Sequence, residues 1–328
     1  MNPKFNSEIT VLIPVYNSRQ FVARTLDSVL KQTLKNFKVI IIDDCSSDDT
    51  YDYVCNYVKS DQRVIVRRNE RNLGLGLTRK KLVQLVTTDF FIFIDDDDFL
   101  YPSALEKMLN KMKSSPDFDF VVSKSKFGFK FKNFFLSLPF MQQKYRPVSH
   151  PLKWYCDNWV YWWGTLFKTE FVKMQGDAVW WKDNRYEDVI PLCKLFINAK
   201  KIGFWNGYAI QYLRRKSSIT STNSASNVIA NLRAIINIYA ELFKLQKNKV
   251  NDLQWRQQMI DSKYSDLVLI FCLHYLIIKK IKQTAFFDKQ LQQVKYLKNE
   301  YNATFITKKK WLSFLAKMIY HHVFKQLR

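Results

Sequence analysis

The sequence predicts an α/β fold, a mostly parallel sheet with flanking helices, followed by a helical carboxyl-terminal region. Three observations carry that expectation. Short Val/Ile-rich runs alternate with amphipathic stretches over the first 115 residues. Two of the apolar runs end abruptly in carboxylates, Ile42 into Asp43-Asp44 and Phe90-Phe-Ile-Phe-Ile94 into Asp95, Asp96, Asp97 and Asp98. Beyond residue 225 the pattern changes to long apolar-rich segments with helical spacing, Val228 to Leu245 and Tyr264 to Ile281.

In chain order, Thr10-Val-Leu-Ile-Pro-Val15 reads as a buried strand whose ladder Pro14 interrupts, because proline has no N–H to donate. Tyr16-Asn17-Ser18 is a loop. Phe21 to Gln32 is a helix, with Phe21, Val22, Leu26, Val29 and Leu30 on one stripe. Phe37 to Ile42 is the second strand. Cys45 to Thr50 is turn-rich and caps a helix over Tyr51 to Lys59. Val64-Ile-Val66 is a third strand, Asn69 to Gly76 a polar loop, and Leu77 to Val86 a helix carrying Arg79. Phe90 to Ile94 is the fourth strand. Such alternation implies right-handed crossovers between parallel strands. The ends at Ile42 and Ile94 then share one sheet edge, the edge where open α/β sheets bind ligands.

Four carboxylates in a row are not core residues by composition. Like charges repel, and a buried unpaired carboxylate costs several kcal/mol. The acids are therefore expected to face water or a cation, with Asp98 set apart as support for the turn or the following helix. With Asp43 and Asp44 converging on the same edge, a bound cation is favoured over a solvated turn. Gly74-Leu-Gly76 lacks the third glycine and the strand–turn–helix placement of a dinucleotide fingerprint. No Walker lysine motif occurs, and the four histidines show no zinc-ligand spacing with cysteines.

With 328 residues and a hydrophobic fraction of 47%, the chain can bury a large core or two smaller ones. No leader is expected from the polar Met1 to Ile9. The run Leu267 to Ile278 is too short for a spanning helix. Five scattered cysteines suit a reduced, cytoplasmic chain rather than a disulfide framework. The net charge of +23 is unevenly spread: residues 1–115 hold 17 basic and 15 acidic side chains, and the excess lies in the later two-thirds. Anionic membrane, anionic polymer and nucleic acid are the partner classes such a charge suits.

Taken together, Val11-Leu-Ile-Pro-Val-Tyr-Asn17, Ser28-Val-Leu-Lys-Gln-Thr33, Val39-Ile-Ile-Ile-Asp-Asp44 with Ser46 to Thr50, Asn72-Leu-Gly74 with Arg79, and Phe93-Ile-Asp-Asp-Asp-Asp98 resemble the family 2 glycosyltransferases. These are inverting enzymes with the GT-A fold, and the chain looks like the bacterial cell-surface polysaccharide type. The likeness covers about residues 8–110 and recurs at Glu187-Asp188 and Tyr212 to Thr220. It implies a nucleotide-sugar site, for a UDP-sugar. Pro14, Tyr16, Asn17 and Asp44 match positions that hold the uridine, and Arg79 matches a basic residue near the nucleotide. Asp95 and Asp97 match the two acids of the DxD motif, which would hold Mn²⁺ or Mg²⁺. Asp96 stands among the donor contacts where the family commonly has Ser, and Cys45 stands where it often has Gly. Cys45 is expected to be neutral packing.

Further on, Phe118 to Val122 reads as a strand and residues 123–150 as a variable basic insert. Trp154, Trp159, Trp162 and Trp163, then Trp180-Trp181, offer either core or an aromatic platform for sugar rings. Trp162, Trp163 and Trp181 are the acceptor candidates. Glu187-Asp188, before an amphipathic helix over Leu192 to Ala199, matches the family's catalytic acid pair. Asp188 is the expected base, with Glu187 in support. Arg214 and Arg215 precede a segment resembling the family's Ser-Ile-Thr, where they would clamp the donor diphosphate. The Gln-x-x-Arg-Trp motif of processive synthases is incomplete, with Arg215 in place of Trp.

The expected organisation is a catalytic domain over residues 1–224, with a donor half over 1–115 and an acceptor half over 116–224. A helical region over 225–328 follows. Lys308 to Leu327 reads as a basic amphipathic helix. It suits an anionic membrane surface, its own bundle or a homo-oligomer. The expected function is metal-dependent transfer from a UDP-sugar to a cell-surface glycan or lipid-linked acceptor, at the inner face of the membrane and without nucleic acid. The rival reading is an anionic-polymer or nucleic-acid binding protein with a degenerate transferase domain.

Overall fold

The computed structural model describes residues 7–131, 134–137, 150–158, 161–181, 185–213, 225–280 and 284–304. The expectations placed on Arg214, Arg215, Trp159 and the terminal helix from Trp311 fall outside those residues.

The chain divides into two compact units. The described part of the first is built on one sheet with the order β3-β2-β1-β4-β8-β6-β9-β5, and β7 pairs with β6. Strands β1 (Ile9–Val15), β2 (Lys38–Asp43), β3 (Val64–Arg68) and β4 (Phe90–Phe93) are parallel. Helices α1 (Val22–Leu30), α2 (Thr50–Val58) and α3 (Leu75–Gln84) make the crossovers. This is the alternating pattern the sequence predicts. Every residue of β1 is buried, as are Phe91, Ile92 and Phe93 of β4, because helices cover both sheet faces.

After a short strand β5 (Phe99–Leu100) and helix α4 (Ala104–Lys113), the sheet turns mixed. Strand β8 (Thr165–Lys168) runs antiparallel to both its neighbours, β4 and β6 (Phe120–Phe131), and β9 (Ile202–Leu213) runs parallel to β6. The segment expected as an insert is therefore partly sheet. Residues 123–131 extend β6, and β7 (Phe134–Ser137) closes a hairpin on it. The alternation along β6 is polar, which hid it from a hydrophobic pattern. Ser123 and Ser125 are buried toward Gly164, where a Cβ would meet the Ser125 hydroxyl at 3.0 Å. Lys124 and Lys126 point instead to the Tyr208 ring. Helices α6 (Thr169–Met174) and α7 (Val189–Asn198) complete this unit.

The second unit contains α5 (Pro151–Asp157) from Leu152 onward with α8 (Ala225–Lys249), α9 (Leu253–Lys280) and α10 (Thr284–Glu300). Leu232, Ile236, Leu242, Met259, Leu267, Phe271 and Val294 form its apolar interior. Trp154 and Tyr155 are fully buried within it. The Lys263 ammonium lies 4.2 Å from the Tyr155 ring centroid, donates to the Asn158 carbonyl and pairs with Asp266 at 3.3 Å. Pairing of this kind is what allows a lysine to be buried. No described helix is long and apolar enough to cross a membrane.

Candidate active site

The acidic run between β4 and β5 is held by one face of α1. The Arg24 guanidinium donates to the Asp97 carbonyl at 2.8 Å, and the Thr25 hydroxyl donates to the Asp98 carbonyl at 2.7 Å. The Ser28 hydroxyl accepts from the Leu100 N–H at 3.0 Å. The Gln32 amide donates to the Tyr101 carbonyl at 2.8 Å and accepts from the Leu105 N–H at 3.2 Å. Sequence reasoning took α1 for an apolar stripe alone and missed this polar face, although Ser28 and Gln32 stood inside a quoted motif. Arg24 is lowered from the usual guanidinium pKa by burial, against the pull of Asp98 and Asp97.

Not all four acids face water or a cation. Asp98 is fully buried and its N–H donates to the Asp95 carbonyl, closing the turn. Its tolerance inside the protein comes from the neighbouring Arg24 charge. The Asp96 carboxylate accepts from the Tyr16 N–H at 3.1 Å, joining the β1 loop to the acidic turn.

The pair at the end of β2 is absorbed locally, which corrects the argument that it demands a cation. Asp43 accepts from the Ser46 N–H at 3.0 Å and the Ser46 hydroxyl at 2.5 Å, beside Arg68 at 3.4 Å. Asp44 accepts from the Asn69 amide at 2.7 Å, the Leu73 N–H at 2.9 Å and the Gly74 N–H at 2.8 Å. Gly74 adopts φ +87°, a left-handed conformation that costs glycine nothing and lets the loop close over Asp44. Asn17 (φ +47°) joins the β1 and β2 loops, its amide oxygen accepting from the Ser47 N–H at 2.8 Å. Pro14 is buried inside β1, and Tyr16 is 46% exposed at its mouth.

Cys45 also adopts a left-handed backbone, φ +61°. This corrects the reading of Cys45 as neutral: the position favours glycine for conformational reasons, and a side chain there costs about 1–2 kcal/mol. Cys45→Gly is expected to raise stability by up to about 1 kcal/mol, after the added unfolded-chain entropy of glycine is subtracted. An unchanged or lower denaturant midpoint would contradict this.

The centre of the site is Arg79. It is 2% exposed, and its guanidinium joins two carboxylates that lie far apart in sequence. Nη2 donates to Asp95 Oδ1 at 2.5 Å, and Nη1 donates to Glu187 Oε1. Glu187 is buried in the turn that begins α7, and Tyr186 before it adopts φ +54°. The structure thus brings Asp95 of the acidic run together with the Glu187-Asp188 pair. The Asp188 carboxyl is pushed up to about 6, chiefly by burial; the Arg79 charge opposes the rise and the Asp95 charge adds to it. As a whole residue Asp188 is only half-buried, so water moderates the shift.

Asp95 and Asp97 offer hard carboxylate oxygens two residues apart on one turn, and both are half-buried. That donor set fits Mg²⁺ or Mn²⁺, which commonly takes one or two carboxylates and completes its shell with substrate phosphates and water. Among the described residues no group of three or more His, Cys, Asp or Glu side chains gathers into a metal cage.

The tryptophan platform needs revision. Trp162 is 1% exposed, stacked on Trp180 at 5.4 Å and edge-on to Phe93 and Phe167. It is core, which corrects its assignment to the acceptor. Trp163 is nearly buried but stacks on half-buried Tyr161 at 4.3 Å and Tyr212 at 5.7 Å. Trp181 is half-buried. A separate groove lined by Thr88, Asp89, Phe118 and Lys173 opens where β4 begins, at the opposite end of that strand from the acids.

One sheet, parallel in its first half and mixed beyond it, with acids at its carboxyl edge and a second acid pair folded against them, is the architecture of a glycosyltransferase of the GT-A fold. Residues 10–165 carry a domain that matches the model of Glycosyl transferase family 2. The chain is 26% identical over 272 residues to a processive diacylglycerol beta-glycosyltransferase of Mycoplasma genitalium, covering 76% of this chain and 79% of that one. The S. aureus TarS 1-349 structure in complex with UDP-GlcNAc superposes with a TM-score of 0.58 at 17% identity, over 90% of this chain and 91% of that one. Of a longer S. aureus TarS structure the chain covers 54%. A mannosyltransferase of Pyrobaculum calidifontis, in complex with GDP-Man and Mn²⁺, superposes with a TM-score of 0.58 at 11% identity, over 99% of this chain and 82% of that one. At such identities these two structures speak for the fold.

Proposed function

We propose that the chain transfers a sugar, with inversion, from a UDP-sugar to a hydroxyl of a lipid-linked or cell-surface glycan acceptor. The observation that carries this reading is the Arg79-centred cluster, which sets Asp95 of the DxD motif against Glu187 and the high-pKa Asp188. Asp188 is the base. It takes the proton of the acceptor hydroxyl as that oxygen attacks the anomeric carbon, and the bond from that carbon to the diphosphate oxygen breaks on the opposite face. Asp97 and Asp95 are the metal ligands. When bound there, a divalent cation would offset the negative charge that grows on the departing diphosphate. The loops around Pro14, Tyr16, Asn17, Asp44 and Asp96 cradle the nucleotide. Arg214 and Arg215 are proposed to clamp the diphosphate, and Trp163 and Trp181 to border the acceptor.

The resemblance to a diacylglycerol transferase over three-quarters of the chain makes diacylglycerol the first acceptor to test, with a polyol-phosphate polymer second. The basic later two-thirds supports work at an anionic membrane surface on its cytoplasmic side. Release of UDP from a panel of nucleotide sugars, with Mn²⁺ and each acceptor, tests the reading. If nothing in the panel turns over while RNA binds in a salt-sensitive way, the polymer-binding alternative takes its place.

The raised Asp188 pKa gives a pH prediction with a defined sign. A base works ionised, so transfer should rise with pH through about 6 and level off above it. Folding follows the opposite sign. Because the folded pKa lies above the unfolded one, stability from this group is present at low pH and lost as pH rises through about 6. Asp188→Asn should therefore melt at or above the wild-type temperature at pH 8, and a clear drop in melting temperature there would contradict the assignment.

A further inference from the structure

Arg79 carries a positive charge at the heart of the site, yet it is almost wholly enclosed. Both of its terminal nitrogens are engaged by carboxylates, and its guanidinium carbon lies 5.6 Å from the centroid of the Phe93 ring. A direct contact to a nucleotide would need that charge to open to the cleft. Its environment suits a different task. Asp95 and Glu187 both bond to the Arg79 guanidinium, with Asp188 next to Glu187, and a fixed cation among these three acids offsets their mutual repulsion. Arginine is the side chain for this, because its planar fork bridges two carboxylates where a lysine presents one point charge.

The backbone beneath Arg79 is also tied down. Gly74, the cap of α3, donates to Asp44, and the Asn69 amide that donates to Asp44 also donates to the Thr78 hydroxyl at 3.2 Å. Arg79 therefore stands on a helix start fixed to the β2 loop and reaches 16 residues along the chain to Asp95 and 108 residues to Glu187.

Resting on the transferase reading above, we propose that Arg79 is a positioning residue that locks the base-bearing turn Glu187-Asp188 to the donor-side acid Asp95, rather than a contact to the nucleotide. The base and the acid beside the donor belong to distant parts of the chain. Their spacing decides whether the acceptor oxygen meets the anomeric carbon in line. Displacements near 1 Å at such a centre cost on the order of 100-fold in rate.

The test uses the full chain with R79M, R79K, E187Q and the R79M/E187Q double variant. Four quantities are read for each: UDP affinity with Mn²⁺ by calorimetry, donor KM, kcat for transfer to the acceptor, and melting temperature. R79M and E187Q should each lower kcat for transfer by about 100-fold while donor KM and UDP affinity move less than about threefold. The double variant should be no more than about threefold worse than the poorer single variant, because both break one linkage. R79K should recover part of the kcat and none of the KM, since KM was not lost. Two results would overturn the assignment: a tenfold rise in donor KM or UDP dissociation constant in R79M with kcat retained, or losses that multiply in the double variant. Should R79M melt below the assay temperature, E187Q decides the matter, because it keeps the side-chain shape and removes only the charge. Wild-type inactivity on every nucleotide sugar would overturn the transferase reading and this assignment together, an outcome distinct from either of the two above.

Discussion

Asp188→Asn is expected to lower transfer by about 100- to 10,000-fold, the span that a positioned general base contributes. Asparagine matches aspartate in shape but cannot accept the acceptor's proton. Its loss should fall on kcat, with UDP affinity in the presence of Mn²⁺ unchanged, because the proposed nucleotide loops are built from other residues. The sharpest control is the fold itself: the buried carboxyl is pushed up to about 6, so removing it should not destabilise the protein at neutral pH. An Asp188→Asn enzyme with near-normal turnover would remove Asp188 from the mechanism. Glu187→Gln should also be damaging, but through the Arg79 linkage.

The second large effect is expected at Asp97. Removing divalent metal with a chelator should abolish transfer, and Mn²⁺ or Mg²⁺ should restore it. Asp97→Asn should lower kcat by about 100- to 1,000-fold, equivalent to the several kcal/mol of charge stabilisation a bound cation supplies. Raised metal concentrations should recover part of that loss, since the other ligand and the donor diphosphate remain. Asp96→Ser is the contrasting change. The Asp96 carboxylate meets the Tyr16 N–H, so its replacement should alter donor KM and leave the metal requirement intact. Full activity after exhaustive chelation would refute the role given to Asp97.

Both predictions start from residues legible in the sequence, but their partners were not legible. Asp95 and Asp97 stood out because carboxylates at the end of an apolar strand break the local pattern, whereas Glu187 and Asp188 stood out only through the family resemblance, since acids are ordinary at a helix start. Arg24, Thr25 and Gln32 did not stand out. They are polar residues on a helix whose apolar stripe already accounted for it, and their work is done on carbonyls some 70 residues away. Asp98 was read as support for its turn, but sequence shows only its charge and not the Arg24 guanidinium that makes burying it tolerable. Strand β6 was missed beyond Val122 because serines and lysines alternate there, and the inward position needs a small side chain opposite Gly164. Trp162 was offered to the acceptor because an aromatic run carries no sign of which ring turns inward.

The sequence by itself determined the alternating α/β order, the parallel half of the sheet and the carboxyl edge on which the acids fall. Strand and helix periods, strand-end charges and turn residues are local properties, and each is written within about ten residues. Only the tertiary structure decided which acids face the cleft and which are absorbed by their own loops. It alone decided that Arg79, already paired with Asp95, reaches Glu187 across 108 residues of chain. Pairings of that kind depend on which charges share a low-dielectric space, and that is settled by how distant segments pack, not by what neighbours them in the chain.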